Sequence, residues 1–216
     1  MSITNIKKLY TLLNKRNTIK SIFHCGYSAK CETMSKDTDK ATHIVWMDLE
    51  MTGLNVRHDK IMEIACLITD RNLNILSEGP CIAIKHSDDV LKNMNEWCQK
   101  HHTESGLVKK CINSNITTNE AECLILKYLQ NNIPKGKCPL AGNSIYMDRS
   151  FLREHMPALD DFMHYRVIDV STIKELARRW NNVVYNSAPE KKLAHRSLDD
   201  IKESIEELKY YKNNLF

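Results

Sequence analysis

The sequence predicts an α/β domain in which helices pack on a mixed sheet. Three observations carry that prediction. Three strand-length apolar runs open the domain in close succession, at HIVWMDLE, IMEIACLITD and LNILSEGPCIAIK. Helical periodicity takes over from about Asp88. Two short strand patterns, PLAGN and YRVIDV, then interrupt the helices. Strands first, and helices interleaved with short strands afterwards, fit helices layered on a sheet.

The elements follow in order. Residues 1–40 stand apart as a leader, and 41–216 form the domain. Between residues 1 and 31 the chain holds Lys7, Lys8, Lys15, Arg16, Lys20 and Lys30 and no Asp or Glu. Ile3, Ile6, Leu9, Leu12 and Leu13 recur there at helical spacing. A basic, acid-free, amphipathic start of this kind is a mitochondrial transit-peptide pattern, and no continuous apolar stretch suggests a secretory signal. Met34 offers a second start, which would leave a form without the leader in the cytosol or nucleus.

Within the domain, HIVWMDLE reads as a buried strand, and Gly53 to Lys60 as a turn. Two more strands complete a meander. Segments 88–101, 103–112 and 118–131 read as three helices. PLAGN is a short strand, and 145–155 a helix that stops before Pro157. YRVIDV is a strand, after which Ser171 is expected to cap a helix running through Trp180. Residues 181–192 read as a polar loop, and Ser197 to about Asn213 as the last helix.

Composition excludes several classes. No run approaches the roughly 18 apolar residues of a membrane span. The formal charge of +4 resides in residues 1–31, because the remaining 32–216 have 25 basic against 27 acidic residues. A body near −2 is not a broadly basic nucleic-acid glove; any nucleic acid is gripped as a short piece through a few placed groups. The eight cysteines (Cys25, Cys31, Cys66, Cys81, Cys98, Cys111, Cys123, Cys138) form no CxxC pair. They read as small buried hydrophobes in a reducing compartment, not as a zinc site.

Chemistry is carried by four acids and a histidine. Asp48 and Glu50 lie at i and i+2 near a strand end. Alternate strand residues share a face, so both carboxylates leave the sheet together while Met47 and Leu49 face the other side. Asp148 falls where PLAGN gives way to a helix, and a helix's first turn favours an anion. His195 and Asp200 stand five apart around the start of the last helix. Carboxylates converging from distant segments suit hard divalent cations such as Mg²⁺ or Mn²⁺. An imidazole titrating near pH ~6.5 can take a proton from water at neutral pH. The combination points to phosphodiester hydrolysis.

The order DxE, D, HxxxxD resembles the histidine-containing branch of the DEDD exonuclease superfamily. MDLEMTGL, EWCQKHHTESGL, AGNSIYMDRSFL, HYRVIDVSTIKEL and HRSLDDIKES extend the likeness from about Thr42 to the C-terminus. Over that length the chain is similar to the oligoribonucleases, 3′-to-5′ exonucleases of very short RNAs. The resemblance implies a ribonuclease H-like fold and two divalent cations, Mg²⁺ or Mn²⁺. Asp48, Glu50 and Asp200 would hold one, and Asp48 would bridge to a second with Asp148. His195 would be the general base, and nucleoside 5′-monophosphates the products. Leu54 would wedge between two bases, and Trp97 would offer an aromatic face near His102. Ser144, Arg166 and Ser171, with His102, would cap the 5′ phosphate of a dinucleotide. Tyr165 and Arg166 would come from the neighbouring subunit of a homodimer.

Overall fold

The computed structural model describes residues 39–191 and 196–216. The leader with Met34, Cys25 and Cys31, and also His195, lie outside the described residues.

A five-stranded sheet runs in the order β3-β2-β1-β4-β5. The strands are β1 (Ile44–Met51), β2 (Ile61–Thr69), β3 (Ile75–Ala83), β4 (Leu140–Gly142) and β5 (Val167–Asp169). The opening meander is antiparallel, and β4 and β5 add in parallel on the other side of β1, so the sheet is mixed as the sequence predicts. Every residue of β2 is buried, Glu63 and Thr69 included, which matches its mostly apolar sequence and its place between two layers of helices.

Nine helices follow β3 among the described residues. They are α1 (Asp88–Lys92), α2 (Glu96–Glu104), α3 (Leu107–Asn113), α4 (Thr118–Asn132), α5 (Ile145–His155), α6 (Pro157–Phe162), α7 (Val170–Trp180), α8 (Asn182–Asn186) and α9 (Ser197–Leu215). Val45, Met47 and Leu49 of β1 face one core, where Ile125 and Leu129 of α4 and Phe151 and Leu152 of α5 meet them. Ile44 and Trp46 face a second core with Val170 and Ala177 of α7 and Ile201, Ile205 and Tyr211 of α9. Period-two alternation along β1 thus separates two apolar layers, and Asp48 and Glu50 continue the α9 side.

Three expectations are corrected. The helix expected over 88–101 is two, because Asn95 accepts from the Cys98 N–H and starts α2 afresh. The cap of α7 is Asp169, whose carboxylate accepts from the Ser171 N–H at 2.9 Å; Ser171 lies inside the helix. The polar loop after Trp180 contains the short helix α8, capped by Asn181. Cysteine burial is also mixed: Cys66, Cys98, Cys111 and Cys138 are buried, but Cys81 and Cys123 are exposed, and all six are free.

Candidate active site

The site forms at the tip of β1, where one neighbouring strand ends early. On one side β1 stays paired with β2, Asp48 opposite Ala65 and Glu50 opposite Glu63. On the other side β4 stops at Gly142, where a Cβ would lie 3.0 Å from the Met47 carbonyl oxygen. The Val45 N–H still donates to Pro139 there, but four residues on the Leu49 N–H has no strand beside it. Asp148, in the first turn of α5, takes that donor with Oδ1 at 2.9 Å. The vacated ladder position brings this acid to the strand tip.

Asp200 arrives from the opposite layer. It lies in the first turn of α9, which crosses β1 and β2, and the helix N-terminus favours its charge. Oxygens of Asp48, Glu50 and Asp200 all lie within 4.8 Å of one another. Ser197, the first residue of α9, is buried beside Asp48, and its hydroxyl favours the ionised form of that acid.

Three of these acids, Asp48, Glu50 and Asp148, resist ionising. Asp48 is raised well above the usual carboxylate range by burial first, and then by the charges of Asp148, Glu50 and Asp200. Glu50 is pushed up to about 8 by burial and by the charges of Asp200, Glu63 and Asp148. Asp148 is raised to about 7 by burial, against the pull of the Leu49 N–H. Mutually repelling carboxylates at one spot are an oxygen-only donor set, which suits a hard divalent cation.

A pocket of about 430 Å³ opens beside Glu50, lined among others by Gly53, Leu54, Trp97, Cys98 and His102. Asp59 shapes its rim. Its carboxylate accepts from the Thr52 hydroxyl at 2.9 Å and the Asn55 N–H at 2.8 Å. A Cβ on Gly53 would meet that carboxylate at 2.5 Å, so glycine leaves room for Asp59 to bond the turn. The turn leaves Leu54 68% exposed, which removes it from the core. Trp97 is 56% exposed and leans on His101, with ring centroids 4.2 Å apart. His102 is buried. Its Nε2 lies 2.9 Å from the Met51 carbonyl, which can only accept, so Nε2 carries the proton. Its Nδ1 lies 3.9 Å from Glu50.

Ser144 and Ser171 meet at the ends of β4 and β5, the same end of the sheet as the acids. Their hydroxyl oxygens are 3.2 Å apart, and the Ser144 N–H donates to Asp169 and to Ser171. Ser144 has φ of 51°, a left-handed conformation that L-residues seldom adopt. Tyr165 and Arg166 lie elsewhere. They precede β5, so the length of that strand separates them from Ser171. Arg149 holds their loop by donating to the carbonyls of His164 and Tyr165. The Arg166 guanidinium sits 5.0 Å over the ring of Tyr165, which is 72% exposed. The contacts of Arg166 among the described residues are with Tyr165 and His164, at the opposite end of β5 from Ser171. Sequence reasoning missed Asp59 and Asp169; the Asp-x-Ser spacing in VIDVS is the signal for the second.

The family described as Exonuclease matches residues 45–208 of the chain. The zinc-bound Escherichia coli exonuclease I–single-stranded DNA complex superposes with a TM-score of 0.62 at 14% identity, over 81% of this chain and 41% of that one. This likeness concerns the fold, the ribonuclease H-like arrangement of a mixed sheet with flanking helices. The chain is a nuclease of the DEDD exonuclease superfamily. A probable oligoribonuclease of Drosophila melanogaster is 55% identical over 193 residues, 89% of this chain and 91% of its own length. The mitochondrial oligoribonuclease of Mus musculus is 50% identical over 191 residues, 88% of this chain and 81% of its own length. The chain belongs to the oligoribonuclease family.

Proposed function

We propose that the protein is a 3′-to-5′ exoribonuclease that degrades di- and short oligoribonucleotides to nucleoside 5′-monophosphates. The observation that carries this reading is the convergence of Asp48, Glu50 and Asp200 within 4.8 Å, with Asp148 bound to the same strand tip. The names of the relatives agree with it. Asp48, Glu50 and Asp200 would hold one divalent cation, and Asp48 with Asp148 a second, as Mg²⁺ or Mn²⁺. Bound there, the cations supply Lewis-acid stabilisation of the attacking and leaving oxygens. His195 would take a proton from water as its oxygen forms a bond to phosphorus, and the bond to the 3′ oxygen of the preceding nucleotide would break, that oxygen gaining a proton from solvent to leave a 3′ hydroxyl.

The surroundings account for short substrates. Exposed Leu54 enters between two bases, and Trp97 offers its face to one of them; base stacking on an aromatic is worth roughly 1–3 kcal/mol. Ser144 and Ser171, with His102, would cap the 5′ phosphate of the substrate. Arg166 and Tyr165 of a second copy complete that cap in a homodimer. Arg166 precedes β5 while Ser171 follows it, and Arg149 holds the loop before Arg166 by its backbone carbonyls; both support a contribution from a second copy. The leader directs the protein to mitochondria, and a start at Met34 would leave a second pool outside them.

The deciding experiment uses purified protein and 5′-labelled RNA of two to seven nucleotides, with and without chelator. Dinucleotides should turn over fastest and only with metal. Preference for a 20-mer would favour instead an exonuclease of longer 3′ ends. Sedimentation at working concentration should show a dimer; an active monomer would exclude the shared cap.

A further inference from the structure

Outside the acid cluster, a second buried carboxylate joins the two segments that carry the serine pair. Glu207 lies on α9, seven residues after Asp200, with only 2% of its side chain exposed. Its Oε2 accepts from Asn143 Nδ2 at 3.0 Å, and its Oε1 lies 3.4 Å from Lys174 Nζ. Asn143 immediately precedes Ser144 in the turn between β4 and α5. Lys174 follows Ser171 on α7, about one turn further along that helix. One carboxylate thus reaches both segments whose serines meet with hydroxyl oxygens 3.2 Å apart. A third partner, Lys191, whose Nζ lies 2.8 Å from Oε2, belongs to neither segment.

The serine pair is held from two sides. On one side Asp169 Oδ1 accepts from the N–H groups of Ser144 and Ser171, at 3.0 and 2.9 Å. That contact fixes the serines to each other but not to α9. Glu207 supplies the second tie, through the residue next to Ser144. Asn143 bonds Glu207 through Nδ2, and its buried Oδ1 has no partner among the described residues. Ser144 has its φ of 51° at the adjoining position, and a strained backbone of this kind persists where its surroundings over-determine it. Ser144 is exposed and makes no side-chain cap on α5, so its hydroxyl stays beside that of Ser171 at the surface. The helix that provides Glu207 also carries Asp200. At a rise of ~1.5 Å per residue the two lie about 10 Å apart along α9, so one element spans from the acid cluster to the brace of the serines.

We propose that Glu207 is a positioning residue for recognition of the 5′ phosphate: through Asn143 and Lys174 it holds Ser144 and Ser171 in register with each other and with the acid that α9 carries. This rests on the reading of the serine pair as part of the 5′-phosphate cap. A buried ion pair of this kind adds little net stability compared with an apolar core, but it selects one arrangement of the groups it joins. Here the arrangement selected is that of two hydroxyls, whose separation and direction decide how they meet phosphate oxygens. Without the joint, the β4–α5 turn and α7 shift independently. The loss then falls on substrates that present a phosphate to the pair.

The test reads the ratio of kcat/KM for a dinucleotide bearing a 5′ phosphate to kcat/KM for the same dinucleotide ending in a 5′ hydroxyl. A loss of folded protein or of metal affects both substrates alike and cancels in that ratio. Glu207→Gln, Asn143→Ala and Lys174→Met are made in the full chain, alone and with Ser171→Ala, and Lys191→Met is the control. Folding is followed by thermal melting. Asn143→Ala leaves both lysines paired with Glu207, so it decides the matter if Glu207→Gln fails to fold. Each of the three should lower the ratio about fivefold or more, because small misplacement of substrate-holding groups is costly. In the Ser171→Ala background they should change it less than about twofold, and Lys191→Met should stay within about twofold of the unsubstituted protein. An unchanged ratio in Asn143→Ala or Lys174→Met, equal losses in both backgrounds, or a Lys191→Met loss as large as that of Asn143→Ala would each overturn the proposal. If the unsubstituted protein treats the two dinucleotides alike, or Ser171→Ala leaves the ratio unchanged, the cap reading fails and the proposal with it. If Ser171→Ala lowers the ratio and the Glu207, Asn143 and Lys174 variants do not, the proposal alone fails.

Discussion

Glu50 and Glu207 are the same acid in two regions of one fold, and they ionise in opposite ways. Glu207 is the more deeply buried, at 2% side-chain exposure against 14% for Glu50. Yet Glu50 is pushed up to about 8, and Glu207 is lowered from its ordinary value. Burial acts against the charge in both cases. The neighbours decide the outcome: Glu207 has Lys191, Asn143 and Lys174, whereas Glu50 has Asp200, Glu63 and Asp148. A carboxylate closed by protein donors is a finished structural joint. One surrounded by other acids carries a repelled charge, and that is the property a cation site needs.

The largest effect expected from this contrast is on Asp48, at the centre of the repulsion. Its raised value involves Asp148, Glu50 and Asp200 together. Asp48→Ala should reduce metal-dependent hydrolysis of a dinucleotide to background while the chain stays folded in chelator. Measurable metal-dependent turnover in that variant would break the contrast at its strongest point.

Neutralising the two glutamates should then shift stability in opposite directions. Glu207→Gln removes the charge from a buried pair and should cost about 3–5 kcal/mol, because Lys191 and Lys174 lose their partner. Glu50→Gln removes a repelled charge and should stabilise the metal-free protein at pH 8, by on the order of 1–3 kcal/mol. Urea unfolding in chelator at pH 8 measures both. Changes of the same sign would show that depth of burial, rather than the neighbours, governs the two groups.

The same contrast explains what was legible in the sequence. Strand and helix order could be read because apolar periodicity reports burial, and β1 alternates so cleanly that Asp48 and Glu50 are assigned to one face correctly. The four acids could be singled out by their order along the chain, which resembles that of the DEDD exonucleases; taken singly, each reads as a solvated strand end or a helix-start acid. Glu207 could not. Its letter in IEELKYY is that of any solvated helix glutamate, and its partners Asn143, Lys174 and Lys191 come from three separate segments. Only their meeting in space distinguishes it. Local competition hid two boundaries as well. Asp169 and Ser171 both suit a helix start, and the choice between them depends on which side chain reaches the free N–H. Asn95 likewise interrupts a continuous helical pattern, because its side chain satisfies a new helix's first donors.

The smallest effect expected is a pH dependence, and its sign follows from the raised values. Unfolded Glu and Asp titrate near pH ~4.3 and ~3.9. In the folded, metal-free chain Glu50 holds its proton to about 8 and Asp148 to about 7. Between these limits the native state binds more protons than the unfolded one, so stability falls as pH rises. The contribution is fully present below pH ~4 and is lost as pH passes through 7 and 8. A divalent cation competes with those protons for the same oxygens, so its stabilising effect runs the other way and grows with pH. Melting temperature in chelator should therefore be lower at pH 8 than at pH 6, and the increase on adding Mg²⁺ should be larger at pH 8. Glu50→Gln should flatten the chelator profile, which separates this titration from that of the histidines. A profile equally steep in that variant, or a larger Mg²⁺ effect at pH 6, would mean that the acids at the tip of β1 are not the groups whose protons the metal displaces.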